Sequence, residues 1–138
     1  MIPISKETGL GWTTFSVDDS AGAVKTIIND VTSLGFATPR GVQDVTGLDK
    51  SAYERLLLLA DFSVSPTGVF NDATGQAHDV FKTVPSTSVA RTVTITVSGQ
   101  TLAGEILFTD YQFTRSQAGE LTWSAPGVLA NGTVPTWA

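Results

Sequence analysis

The chain has 138 residues, a mass of 14.5 kDa and a formal net charge of −5, which suits a single domain with a real core. It holds no cysteine and one histidine, His78, so disulfide frames, thiolate zinc sites and cysteine nucleophiles are excluded. The acidic balance argues against a nucleic-acid binder with a basic stripe, and no apolar run reaches the ~20 residues of a membrane span.

The first third of the chain predicts short strands separated by turn formers. Residues 23–34 fit both helical spacing and a β-rich composition, and we interpret them as a strand to about residue 28 followed by a helical turn. The first ten residues lack an apolar core, so no secretory signal is expected and synthesis in a reducing cytoplasm is predicted. The other expected elements are a loose arm at 1–11, a strand at 12–17, a turn at 18–22, a strand at 42–46 and a single helical turn at 51–56.

A period of two follows that turn. Leu58, Ala60, Phe62 and Val64 face one way and polar side chains alternate with them, which predicts one half-buried strand over 57–65. The expected elements after it are a loop at 71–75 and a short helix at 76–84 that Pro85 ends.

The most regular pattern is the alternation of residues 91–98, which predicts a strand, and Gly99 then predicts a tight hairpin turn. A returning strand at 102–115 is apolar on both faces at its start, and a third strand at 120–124 completes an antiparallel meander. The expected core of the meander is Val93, Ile95, Val97, Tyr111, Phe113 and Trp123.

Together these elements predict one mainly β domain over residues 1–138. The expected architecture is an antiparallel β-sandwich or barrel with one or two short helices, a long loop and extended arms at 1–11 and 126–138. Such a chain has open strand edges, which a subunit can bury in its neighbours.

No motif carries catalytic, metal or cofactor chemistry, so no such site is predicted. His78-Asp79 is interpreted as the polar face of a helix, and the remaining polar pairs lack a ligand-like spacing. Trp123 is expected in the core and Trp137 as an exposed anchor. The pairs and triplets interpreted as turns are Asp18-Asp19, Asn71-Asp72 and Asn131-Gly132-Thr133.

The chain resembles the major tail tube proteins of siphophages, which have long non-contractile tails. The resemblance lies in GVQDVTGLDK at 41–50, a D-V-T segment with small polar residues, followed by the leucine-bearing ERLLLLADFSV at 54–64. The order of later segments extends it over most of the chain from about residue 12. Those segments are GVFN at 68–71, HDVFK at 78–82, the strands at 91–98 and 102–115, ELTW at 120–123, GT at 132–133 and PTW at 135–137.

The resemblance implies a β-sandwich with a flanking helix, assembled as hexameric rings that stack into a tube. It implies as partners other copies of the chain, a tape measure protein in the lumen, tail terminator and tail-tip proteins, and phage DNA that transits without specific binding; no membrane is involved. An acidic lumen would repel phosphate and let DNA slide. The expected lumen-facing carboxylates are Asp44, Asp61, Glu105 and Asp110, and the expected inter-ring contacts are Asn71, Asp72 and Trp137.

Two other classes stay open. A tail terminator or head–tail adaptor would share the small β fold and the ring. A carbohydrate-binding β-sandwich has only the tryptophans Trp12, Trp123 and Trp137 in its favour. An enzyme is not expected.

Overall fold

The computed structural model describes residue 6 and residues 8–138, so most of the predicted arm at 1–11 lies outside the described residues. Eleven strands and one short helix are described, which confirms the mainly β fold. The strands are β1 (Trp12–Asp18), β2 (Val24–Thr26), β3 (Val31–Ala37), β4 (Arg40–Asp44), β5 (Arg55–Ala60), β6 (Ser63–Val69), β7 (Arg91–Val97), β8 (Gln100–Phe108), β9 (Gln112–Arg115), β10 (Leu121–Ser124) and β11 (Gly127–Leu129).

Nine strands form one curled antiparallel sheet. Its order is β2-β1-β7-β8-β11-β6-β10-β9, and β3 pairs with the other edge of β6. β4 and β5 form a second, two-stranded sheet. The curl turns one face of the large sheet inward, and this face carries the core. The described chain contains no helix long and apolar enough to cross a membrane.

The core is a single apolar cluster between the curled sheet and the helix α1 (Ala77–Phe81). β1, β7 and β8 contribute alternate side chains to it, because successive residues of a strand point to opposite faces. Trp123 packs against Phe81 with the two rings tilted, and their centroids are 5.2 Å apart. The fully buried side chains include Phe15, Phe62, Phe81, Val93, Ile95, Leu102 and Ile106.

The hairpin of β7 and β8 confirms the strongest sequence pattern. Arg91 pairs with Ile106 and Val97 with Gln100, so the register is continuous from one end to the other. Ser98 and Gly99 both have positive φ, 49° and 80°, as a two-residue primed turn requires.

Several predicted elements differ from the structure in the first half of the chain. Residues 31–34 belong to β3 rather than to a helical turn, because they pair with β6; the helical part is a 3-10 turn at Ile28–Asp30. Residues 51–54 are not helical. The strand predicted over 57–65 is two strands, β5 and β6, interrupted at Asp61 and Phe62.

The meander is also different. The strand predicted over 102–115 is broken at 109–111 into β8 and β9. Only β9 pairs with β10 as the meander predicts, whereas β8 pairs with β11. Of the predicted core, Val93, Ile95 and Trp123 are buried, whereas Phe113 remains 44% exposed. Alternation alone identifies a face of a strand, and strands far apart in sequence decide whether that face is covered.

The predicted arm at 126–138 is extended, yet its first part lies inside the sheet. β11 pairs with β8 on one side and β6 on the other. The last residue, Ala138, exchanges two backbone hydrogen bonds of 2.8 and 2.9 Å with Thr101. This segment therefore joins distant strands of the domain.

Candidate assembly surface

The most unusual surface is a ribbon, residues 40–60, made of β4, β5 and the loop between them. β4 continues from β3 and β5 leads into β6, so the ribbon extends the β3–β6 hairpin beyond the body of the domain. Its two strands pair with each other and with no other strand of the described residues. Val42 faces Leu57, and Gln43 faces Leu56.

The ribbon exposes apolar side chains on both faces. Leu56, Leu57 and Leu58 are 57%, 60% and 47% exposed, and Leu59 is 93% exposed. Adjacent residues of a strand point to opposite faces, so neither face is polar. The other exposed apolar residues of the ribbon are Val42, Val45, Leu48 and Tyr53.

Polar contacts hold the outer end of the ribbon together. The Thr46 hydroxyl donates to Asp44 Oδ1 at 2.6 Å and accepts from the Glu54 backbone N–H at 2.8 Å. The hydroxyl and the backbone N–H of Thr46 lower the pKa of Asp44, because both hydrogen bonds favour the charged carboxylate. Arg55 lies 4.7 Å above the ring of Tyr53. The loop is thereby closed by its own side chains.

An apolar groove lies beside the base of the ribbon. Leu57, Leu58, Leu59 and Ala60 line it with Val134 from the C-terminal segment, and its volume is about 520 Å³. The Arg40 guanidinium lies at the same place and donates to the Leu58 carbonyl at 3.0 Å. The surface is shaped to receive apolar groups rather than a small polar ligand.

The total surface is also large for the mass. The chain exposes 8764 Å², whereas a compact monomer of this mass exposes about 6,900 Å². The excess is about 1,900 Å², and the exposed ribbon contributes to it.

The four carboxylates expected to face a lumen lie on four different segments. Asp44 is in the ribbon and Glu105 is in β8, where its carboxylate accepts a hydrogen bond from the Thr92 hydroxyl. Asp61 and Asp110 lie between strands rather than on them, and each accepts from the backbone N–H of the next residue, at 2.8 Å in both cases. Each carboxylate has a local partner, and their orientation in an assembly stays a prediction.

The residues expected at inter-ring contacts differ from one another. The Asn71 side chain is engaged inside the domain, since its Nδ2 donates to Asp30 at 2.7 Å. Asp72 beside it is exposed. Trp137 is 49% exposed and packs on Phe36, with ring centroids 5.9 Å apart. Asp72 and Trp137 are therefore the accessible members of this set.

His78 is not on a solvated helix face. It lies half-buried, 4.9 Å from the ring centre of Phe70, and its Nδ1 is 3.1 Å from the hydroxyl of Tyr111. Its neighbour Asp79 forms an ion pair of 3.0 Å with Lys82; the hydrogen bond from Lys82, then that from the Gly75 N–H, lower the pKa of Asp79. These contacts anchor the helix to β9 and to the segment before it.

The three tryptophans lie at two different places in the domain. Trp123 is 2% exposed and belongs to the core, as predicted. Trp12 packs edge-on against Phe36 at 5.6 Å. Trp137, which is 49% exposed, packs on the same Phe36. The carbohydrate-binding alternative therefore loses Trp123 and keeps Trp12 and Trp137.

Sequence reasoning missed the ribbon as a site. The available signal was the run of four leucines at 56–59. Consecutive leucines place apolar side chains on both faces of a strand, which does not fit a strand with one face in water. The alternation fitted to residues 58–64 concealed it, because Phe62 and Val64 are indeed buried.

Comparison with known proteins gives a fold likeness. No protein-family model and no curated protein sequence matches the chain. A chain of the virion of a native gene transfer agent particle is similar in structure, with a TM-score of 0.76 and 17% identity over 96% of this chain and 99% of that one. A chain of the tail of an empty gene transfer agent particle, determined with helical refinement and C6 symmetry, gives 0.75 and 20% over the same shares. The TM-scores show a shared fold.

Proposed function

We propose that the protein is a structural tail protein that assembles as six-membered rings and that the rings stack into the tube of a phage-like tail. The likeness to a tail chain with C6 symmetry, over nearly the whole of both chains, carries this proposal. The apolar ribbon and the excess surface support it, because a subunit of a continuous assembly buries such surfaces in its neighbours.

The physical argument for a tube is that rings with two different faces can stack without limit. A head-to-tail contact leaves a free acceptor face after every addition, so stacking continues until another protein caps it. The expected partners are a tape measure protein in the lumen, and tail terminator and tail-tip proteins at the two ends. DNA would pass through the lumen without specific binding, repelled by acidic side chains of a subunit with net charge −5. The role is structural and needs no catalytic group.

Electron microscopy of the purified protein tests this. We expect rings with six-fold symmetry and hollow tubes of uniform diameter whose length increases with concentration. Single rings that never lengthen would favour a tail terminator or head–tail adaptor instead. A particle that remains monomeric in micrographs and in sedimentation at every concentration would contradict the proposal.

Charge-reversal variants test which carboxylates face the lumen. Asp44, Asp61, Glu105 and Asp110 are replaced one at a time by lysine, and tubes are imaged after incubation with short DNA. If a carboxylate faces the lumen, its lysine variant should retain DNA inside the tube at low salt, because phosphate contacts weaken with rising salt. Tubes that bind DNA only on the outside would assign that residue to the outer surface.

A further inference from the structure

We propose that Asn131 is a site of spontaneous covalent modification, at which the side-chain amide loses ammonia through a cyclic imide and becomes a carboxylate. The site is the turn Asn131-Gly132-Thr133, which follows β11 and to which the proposed function assigns no role. The inference does not depend on the proposed tail assembly.

The residue after Asn131 offers an unhindered nucleophile. The chain has three asparagines, Asn29, Asn71 and Asn131, and only Asn131 precedes a glycine. The attack on Cγ of an asparagine comes from the backbone nitrogen of the next residue, and a Cβ on that residue obstructs the approach. Gly132 has no Cβ, a φ of 72° and open space where a Cβ would stand. Its nitrogen is therefore free to approach the side chain before it.

The reaction balances with water as the co-reactant. The Gly132 nitrogen bonds to Cγ of Asn131 and gives up its proton to solvent, and the Nδ2 group leaves as ammonia. Water then opens the cyclic imide. If the bond from nitrogen to Cγ breaks, the product is aspartate. If the bond from nitrogen to the backbone carbonyl carbon breaks, the main chain runs through Cβ and Cγ and the product is isoaspartate. Either product carries one more negative charge than asparagine, and no oxidant or reductant takes part.

A backbone donor is already in place for the charge that forms during the attack. The Thr133 N–H donates to Oδ1 of Asn131 at 3.1 Å. Negative charge develops on this oxygen as the nitrogen bonds to Cγ, and a donor aimed at a developing oxyanion lowers the barrier. Within the part of the chain that the structure describes, the Gly132 N–H donates to no acceptor, and Asn131 is exposed. The nucleophile and the leaving group both face solvent.

The fold disfavours the same reaction at the other two asparagines. Asn29 lies in the 3-10 turn before β3, and the N–H of the next residue, Asp30, donates to the Ile27 carbonyl at 3.0 Å. The Asn71 side chain also accepts from a backbone N–H two residues on, that of Ala73. Its Nδ2, however, donates to the buried Asp30 carboxylate at 2.7 Å. The nucleophile is engaged in the first case and the leaving group in the second.

The modified chain should stay folded, because the turn lies in a slack segment between two attachments to β8. The Ala130 N–H donates to the Glu105 carbonyl at 2.9 Å, and Ala138 pairs with Thr101. The four strand steps from 101 to 105 span about 14 Å, whereas the chain from 130 to 138 can reach about 27 Å. The extra backbone carbon of isoaspartate therefore fits without pulling either attachment apart.

Tryptic peptides report on each asparagine separately. Cleavage after lysine and arginine places the three residues in the peptides 26–40, 56–82 and 116–138. The full chain is incubated at mildly alkaline pH, and samples are digested at intervals, with unincubated protein as the background. Thr133→Pro removes the donating N–H, and Thr133→Ala is the matched control that keeps it. Asn131→Asp supplies the aspartate product as a chromatographic standard, and circular dichroism checks that each variant is folded.

We expect the mass gain of an amide-to-acid exchange in 116–138 alone, placed at Asn131 by tandem mass spectrometry. The product should divide into two peptides of equal mass, one of which elutes with the standard. The intact protein should gain one negative charge in isoelectric focusing while its circular dichroism stays unchanged. Thr133→Ala should convert at the wild-type rate and Thr133→Pro more slowly.

Three results would overturn the proposal. The first is a peptide 116–138 that stays unmodified in the wild type, and the second is equal conversion of all three peptides. The third is equal conversion in Thr133→Pro and Thr133→Ala, which would remove the Thr133 N–H from the reaction. None of these results bears on the assembly of rings or tubes, so the proposed function is tested separately.

Discussion

The carboxylate of Asp30 accepts a hydrogen bond of 2.9 Å from the backbone N–H of Ala77, across 47 residues of sequence. Its other oxygen accepts from the Asn71 side chain at 2.7 Å. Asp30 is 4% exposed and ends the 3-10 turn before β3, while Ala77 begins the helix. One buried side chain thus joins the β2–β3 connection to the helix that closes the core.

Removing that carboxylate should destabilise the domain. Asp30→Ala leaves the Ala77 N–H and the Asn71 amide without acceptors in a buried place, and a buried unsatisfied group costs about 1–3 kcal/mol. We expect a loss of about 2–4 kcal/mol in the free energy of unfolding measured by urea. The control Asp72→Ala removes an exposed carboxylate next to the same loop and should stay within ~0.5 kcal/mol. Equal effects of the two substitutions would contradict this role.

Arg91 should be a second stabilising contact. It is 2% exposed, and its Nη1 donates to the Val80 carbonyl at 2.6 Å while Nη2 donates to the Thr83 hydroxyl at 2.9 Å. Arg91→Met should cost about 2–4 kcal/mol, since it leaves a carbonyl unpaired, and Arg91→Lys should cost less because one donor remains. The comparison is Arg115→Met at an exposed site of β9, expected within ~0.5 kcal/mol. Unfolding curves in urea measure all three.

Local patterns predicted the elements whose partners are close in sequence. The alternation of 91–97 and the Gly99 turn specify β7, β8 and their register, because a two-residue turn fixes which residues face each other. The turn at Asp19 was predicted in the same way, and its carboxylate caps the N–H groups of Ala21 and Ala23.

Distant pairings could not be predicted from the sequence. β11 has three residues and lies between β8 and β6, which no local pattern indicates. Gly68 is required because its Cα lies against the Asp30 carbonyl, where a Cβ would overlap it. The candidate assembly surface was partly visible as the leucine run at 56–59, although recognising it requires knowing that nothing in the same chain covers it.

The core of the β7–β8 hairpin gives a third prediction. Ile95 is fully buried, and Ile95→Ala should cost about 2–5 kcal/mol, the usual penalty for a cavity of this kind. Leu59→Ala removes an equally large side chain that is 93% exposed and should leave the thermal midpoint of the monomer unchanged. A loss at Leu59 as large as at Ile95 would mean that the ribbon is packed within its own subunit.

The hydroxyl of Tyr111 should make stability fall at high pH. Burial, and secondly the negative charge of Asp30, raise the pKa of Tyr111 to about 12, above the ~10 of an unfolded chain. The neutral phenol is thus favoured in the folded state. Its contribution is complete below pH ~10 and is lost as the pH rises from there through 12.

Tyr111→Phe cannot ionise, so its urea midpoint should fall less than that of the wild type between pH 9 and pH 11.5. In an absorbance titration of tyrosine ionisation, the wild type should show a step near pH 12 that the variant lacks. The variant also loses the hydrogen bond between Tyr111 and His78 at every pH. This loss should lower the urea midpoint of the variant by the same amount at pH 9 and at pH 11.5. Parallel falls in the two proteins would contradict the prediction.

Shortening the chain from its C-terminus should separate folding from assembly. Deleting 126–138 removes β11 and leaves open edges on both β8 and β6, and a strand removed from the interior of a sheet exposes the core beneath it. We therefore expect this variant to be unfolded at all temperatures.

Deleting only 131–138 keeps β11, together with the hydrogen bond from the Leu129 N–H to the Phe62 carbonyl. It loses the pairing of Ala138 with Thr101 and the contact of Trp137 with Phe36. This shorter deletion should remain folded with a lower midpoint in circular dichroism. If its tubes are also shorter in electron micrographs, residues 131–138 contact a neighbouring subunit; tubes of wild-type length would restrict their role to the fold. A folded protein after deletion of 126–138 would contradict the place of β11 in the sheet.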